Sequence, residues 1–259
     1  MASGSVRIDV NGHVATLTIS RPEKLNALDL DMLKALADAA DEAEANANVR
    51  VAILTGEGKG FSAGGDIKAW GGMLPQEFGH LWVRHGHRIF ERLATLRVPL
   101  VAALNGHALG GGLELAGVAD IRLAEQHIKI GLPETGLGMV PGWSGTQRLV
   151  RRFGAQAVRR MALGGEIFTA EEARLLGIVD AVVPTGNALA AAKEYAQRIA
   201  ARGPAATEIA KLMIASANGE DNGTAVEALG SILAAKTGDL KEGVASFSEK
   251  RPATFKGEW

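Results

Sequence analysis

The stretch Asn105-Gly106-His107-Ala108-Leu109-Gly110-Gly111-Gly112-Leu113-Glu114-Leu115 decides how the rest of the chain is read. It follows Val98 to Leu104, an apolar run interrupted early by Pro99 that spells a buried strand. A short helix is expected over 111–118. Three consecutive glycines at its start leave backbone amides uncovered, at the end of the helix dipole that favours negative charge. Glu114 stands three residues after Gly111, on the same helical face. A carboxylate there repels phosphate. The arrangement suits amides that hold an oxyanion and a carboxylate that handles a proton or a water.

Two more glycine-dense stretches flank this one in sequence. Phe61-Ser62-Ala63-Gly64-Gly65-Asp66-Ile67 follows the β-branched run Val49 to Leu54, and Asp66 is placed to cap a helix. Pro133-Glu134-Thr135-Gly136-Leu137-Gly138-Met139-Val140-Pro141-Gly142-Trp143-Ser144-Gly145-Thr146-Gln147-Arg148-Leu149 carries a second acid, Glu134, in a Pro/Gly-rich loop. Of the 33 glycines, 17 fall within residues 56–72, 106–117 and 131–145, which suggests three loops meeting at one site.

Working outward, Val6 to Val10 and Val14 to Ile19 alternate around Asn11-Gly12 and predict a β-hairpin with a primed turn. Asp29 caps an expected helix over 30–46. Residues 75–96 read as a helix, 119–124 as a strand and 128–130 as a very short one. From about 135 the pattern turns helical nearly to the end, with a capping box at Thr169-Ala-Glu-Glu172. Ala-rich helices are expected over 188–201, 205–217 and 224–236. Strands alternating with helices argue for an α/β core with partly parallel pairing.

Composition narrows the function classes. The chain has 259 residues, 28 basic and 29 acidic, so 28 − 29 gives a formal charge of −1. That balance disfavours a nucleic-acid partner. The absence of cysteine rules out a disulfide, a thiolate nucleophile and Cys-ligated zinc. No apolar run reaches the ~18–20 residues that span a bilayer. The start of the chain lacks a signal pattern, so a cytoplasmic protein is expected, with no membrane partner. His80, His85 and His87 are five and two apart, not the helical spacing of a metal site, and no metal is expected. Neither a dinucleotide fingerprint nor a phosphate-binding Gly-x-x-x-x-Gly-Lys loop is present. A Ser-His-Asp hydrolase finds no support in the order of residues.

Taken together, the three loops resemble the crotonase superfamily, the enoyl-CoA hydratase/isomerase family. The likeness runs from Val14-Ala15-Thr16-Leu17 through Arg21-Pro22-Glu23-Lys24-Leu25-Asn26-Ala27-Leu28 to Glu249-Lys250-Arg251-Pro252-Ala253-Thr254-Phe255-Lys256. The resemblance implies an α/β fold, a ββα-spiral core over 1–195 with a helical C-terminal region over 196–259. It implies assembly as a homotrimer or a dimer of trimers, and a place in fatty acid or other lipid metabolism. By resemblance, the amides of Gly65 and Gly111 form an oxyanion hole for an acyl-CoA thioester. Glu114 and Glu134 are the catalytic pair, Glu114 mainly for the water and Glu134 mainly for the α-proton. Coenzyme A, part of the substrate rather than a cofactor, maps onto Lys24, Leu25, Ala63, Gly65, Asp66, Ile67 and Lys256. Retention of both glutamates favours hydration. Isomerisation, another acyl-CoA lyase or hydrolase reaction, and a non-catalytic binding role are the alternatives. One departure stands out: many hydratases read Gly-Ala-Gly-Gly-Thr-Gln-Arg-Leu where this chain has Gly142-Trp143-Ser144-Gly145-Thr146-Gln147-Arg148-Leu149. Trp143 and Trp70 are therefore candidates for narrowing the acyl pocket.

Overall fold

The hairpin forms as its sequence dictates. β1 (Ser5–Asn11) and β2 (Val14–Ser20) pair antiparallel with Asn11 opposite Val14, and Gly12 takes φ 59° in the turn. The computed structural model describes residues 4–220 and 223–257. Asp29 caps α1 (Leu30–Ala45) by accepting from the Met32 amide at 2.9 Å. β3 (Val51–Gly56) follows and is buried at every position. α2 (Ile67–Trp70) is a single turn capped by Asp66.

The helix expected over 75–96 is not uniform. α3 (Pro75–Glu77) leads into a π-helical segment, Phe78–Val83, and then α4 (Arg84–Ala94). Wide π turns inside helices are rare and concentrate at functional sites. β4 (Leu100–Leu104), β5 (Ala108–Leu109), α5 (Gly111–Ala116), β6 (Ile121–Glu125) and β7 (Lys129–Gly131) come next. They are followed by α6 (Arg148–Phe153), α7 (Ala155–Gly164), β8 (Ile167–Thr169), α8 (Ala170–Leu175) and β9 (Ala181–Val183). β8 and β9 correct the expectation of an all-helical second half. Each is only three residues long, too short for a period to show, and each exists through its pairing.

The strands build two sheets. The larger runs β1-β2-β3-β4-β6-β9, parallel beyond the hairpin, and the smaller runs β5-β7-β8. Successive strand pairs send one member to each sheet. β4 enters the large sheet and β5 the small one before α5; β6 and β7 repeat the division. β3 begins the series, since Ser62, after it, bridges Ala108 of β5 and leads on to α2. This is the expected ββα repetition.

The large sheet is covered on both faces, as parallel strands require. Leu17, Leu54, Ala102 and Leu104 face the main core with Leu33, Phe90 and Leu113. Val51, Ile53, Val101 and Ala103 face the other way, onto α9 (Ala188–Ala200). That helix presents Ala188, Ala192, Ala196 and Ala200, an i, i+4 row of small residues that lets its backbone approach the sheet.

The expected boundary at 195/196 therefore falls inside a helix that belongs to the sheet. The chain divides instead between Glu208 and Ile209, within α10 (Pro204–Ala217). The second unit holds the rest of α10, α11 (Thr224–Ala235) and α12 (Gly238–Glu249), with Arg251 paired to Glu242 beyond the last helix. Its helices leave Ile214, Leu233, Val244 and Phe247 exposed. No helix among the described residues is long and apolar enough to cross a membrane.

Candidate active site

The three glycine loops meet. A Cβ on Gly64 would lie 2.9 Å from the Gly111 amide nitrogen and 3.0 Å from the Leu109 carbonyl, so the two loops touch backbone to backbone. Gly64 itself takes φ 83° and Gly110 φ 54°, a region other residues enter at a cost. The amides of Gly65 and Gly111 donate to no carbonyl or side chain among the described residues. Both residues line a cavity of about 280 Å³.

The loop before α2 is held from outside the cavity. Asp66 accepts from the Lys68 amide at 3.1 Å and pairs with Arg21 at 3.0 Å and Lys24 at 2.7 Å. The paired Lys24 ammonium, first among the causes, holds the Asp66 carboxyl below the usual carboxylate range. Asn26, fully buried at φ 57°, donates to the carbonyls of Glu57 and Gly60. The Ala63 amide donates to the Leu25 carbonyl. Of the residues assigned to coenzyme A, Ala63, Gly65 and Ile67 line the cavity. Lys24, Leu25 and Asp66 do not; they brace the loop that does. Lys256 lies in the second unit, exposed, its amide bonded to Asp239.

Both glutamates enter the same cavity. Glu114, on α5, is 3% exposed, and its Oε1 accepts from the amides of Trp143 and Gly145, each at 2.7 Å. Burial, helped by the charge of Glu134, pushes its pKa up to about 7 against the pull of those amides. Glu134 begins a 3-10 turn, Glu134–Leu137. Among the described residues, both its carboxylate oxygens are shielded from solvent with no partner beyond its own residue, and burial raises its pKa as well. Its Oε1 lies 2.9 Å from where a Cβ on Gly110 would stand, so a larger residue there would displace the Glu134 carboxylate.

The walls are apolar. Trp70 and Phe78 pack at 5.3 Å between ring centroids, and Trp143 packs against Trp82 at 5.2 Å and Phe90 at 5.0 Å. The Trp143 indole donates to the Trp82 carbonyl at 3.2 Å. Both tryptophans singled out from the sequence line the cavity. Trp82 and Phe78, in the π segment, were not identifiable from sequence as site residues. Gly86 held the one available signal. A glycine inside a helical pattern has a packing reason, and here a Cβ would stand 2.2 Å from the Trp143 indole nitrogen.

Among the described residues, two free amides and two buried carboxylates thus line one largely apolar cavity. The profile described as Enoyl-CoA hydratase/isomerase matches residues 9–258. The chain belongs to the enoyl-CoA hydratase/isomerase family. The short-chain-enoyl-CoA hydratase of Clostridium acetobutylicum is 38% identical over 97% of this chain and 97% of that one. The crotonyl-CoA hydratase of Syntrophomonas wolfei is 37% identical over 98% of this chain and 99% of its own length. An enoyl-CoA hydratase structure from Bacillus anthracis superposes with a TM-score of 0.78 at 35% identity, covering 98% of this chain and all of that one. The family fold is thus the one the resemblance implied.

Proposed function

We propose that this protein is an enoyl-CoA hydratase that adds water reversibly across the 2,3 double bond of an enoyl-CoA thioester. The observation that carries the reading is the pairing of both glutamates with the free Gly65 and Gly111 amides in one cavity. Isomerisation needs a single shuttling carboxylate, and nothing in the site favours it over hydration.

The reaction follows from the geometry. Gly65 and Gly111 donate to the thioester oxygen, where negative charge grows as the β-carbon is attacked. Each such donor contributes ~10²–10³ in rate. Water forms a bond from its oxygen to the β-carbon, the π electrons move to the α-carbon and the thioester oxygen, and a water proton passes to Glu114. Protonated Glu134 delivers its proton to the α-carbon, which restores the thioester carbonyl. A proton then moves from Glu114 to Glu134 to reset the pair. Two buried carboxyls close together favour a single shared negative charge. The amides on Oε1 support that charge on Glu114, while Glu134 has no comparable donors, and this supports the division of labour. No cofactor enters the scheme.

We also infer that the second unit mediates self-association, supported by its exposed Ile214, Leu233, Val244 and Phe247. The expected trimer or dimer of trimers is read by light scattering.

The test of function is turnover. Wild type is expected to consume the enoyl absorbance of crotonyl-CoA, and Glu114→Gln and Glu134→Gln each to lose at least two orders of magnitude in kcat while still binding coenzyme A. Wild-type turnover in either variant would reject the assignment.

A further inference from the structure

The departure at Gly142-Trp143-Ser144-Gly145 has a structural partner. Ser144 takes φ 83°, a backbone region that glycine enters freely and serine does not. Strain of this kind persists where the surroundings hold it. Ser144 is buried, and its Oγ shares a hydrogen bond of 3.1 Å with Nδ1 of His87 on α4. The residue before each partner is matched too. Trp143 fills the space that Gly86 leaves open, so residues 143 and 144 dock onto residues 86 and 87. A third contact, between Arg148 and Glu91 one turn along α4, closes the same seam.

The consequence is at Glu114. The left-handed turn at Ser144 lies between the two amides, Trp143 and Gly145, that converge on one carboxylate oxygen. Amides flanking such a turn form a concave anion-binding nest. The Ser144 carbonyl meanwhile accepts from the amides of Gln147 and Arg148, which starts α6. Without a hold on Ser144, the turn relaxes and the nest opens.

We propose that His87 is a positioning residue, which through Ser144 fixes the amide nest that orients Glu114 for attack on the substrate. The proposal rests on the hydratase reading for its kinetic test, and on the fold alone for its structural one. His87 stands outside the group of residues lining the cavity, so it acts through the loop and not on substrate. The other ionisable groups along this seam are Glu91 and Arg148. The one facing Glu114 across the cavity is Glu134.

The test uses His87→Ala, Ser144→Ala and His87→Asn in the full chain, with crotonyl-CoA as substrate. Misplacement of a reacting group is costly, so kcat is expected to fall about tenfold or more in the two alanine variants while KM stays within twofold. Loss of aligned amides destabilises ionised Glu114, so the rise of kcat with pH moves to higher pH. The double variant is expected to be no worse than either single one, because both remove the same contact. His87→Asn, whose amide reaches the position of Nδ1, recovers most of the loss. Amide hydrogen exchange at Trp143 and Gly145 is expected to quicken in His87→Ala, whether or not crotonyl-CoA is the right substrate. Unchanged exchange overturns the proposal. So does a lower melting temperature with kcat and its pH profile at wild-type values. Failure of wild type on a panel of enoyl-CoA thioesters rejects the hydratase reading instead and leaves the exchange result to decide the role of His87.

Discussion

Glu114 is a buried carboxylate, and its burial carries a stability signature. Its pKa is raised from about 4.5 to about 7, so the folded protein binds an extra proton between those values. Stability from this group is full below the lower value and is lost as pH rises through the upper one. Glu114→Gln removes the burden, and its melting temperature is expected to exceed that of wild type at pH 8. The gain corresponds to roughly 3 kcal/mol at most, and it fades toward pH 5. A gain that did not depend on pH would show that ionisation of Glu114 is not its source. Gly111 gives a second prediction at this scale. Proline has no N–H to donate, so Gly111→Pro is expected to abolish turnover in protein that circular dichroism shows to be folded. Full kcat in that variant would exclude Gly111 from the oxyanion hole.

Between residues and the whole lie the elements that bring the loops together. The π segment Phe78–Val83 places Trp82 against Trp143, and α4 accepts the Trp143 indole over Gly86. Trp143 is thus both core and cavity wall. Trp143→Ala is expected to cost ~3–5 kcal/mol, read as a lower melting temperature. It also opens the acyl end, and each buried CH₂ is worth ~0.8 kcal/mol, so kcat/KM for octenoyl-CoA over crotonyl-CoA is expected to rise about tenfold. An unchanged ratio in folded variant would leave Trp143 a packing residue only. The capping elements were legible in the sequence because their signals are local. Asp29, Asp66 and the Thr169–Glu172 box each cap as expected. The π segment was not legible, since its residues keep a helical hydrophobic pattern and its wider turn is set by packing against the cavity wall.

At the scale of the molecule, the division after Glu208 makes a prediction that the 195/196 boundary does not. A chain ending at residue 195 loses Ala196 and Ala200 from the sheet, along with the carbonyl of Ala200 that accepts from Arg50. It is expected to be insoluble or to melt well below a chain ending at Glu208. Equal melting would return the boundary to the earlier position. The sequence by itself determined the hairpin, the α/β alternation, the glycine loops and both glutamates, because turns, caps and periods are written within a dozen residues. It also carried, through resemblance, the pairing of Gly65 with Gly111. Only the tertiary structure decided what those residues touch. β8 and β9 exist through partners far away in the chain. Asp66 faces Arg21 and Lys24 rather than the cavity, and Trp143 meets Gly86 across more than fifty residues. Such contacts depend on where the sheets set the loops in space, and no local pattern records that.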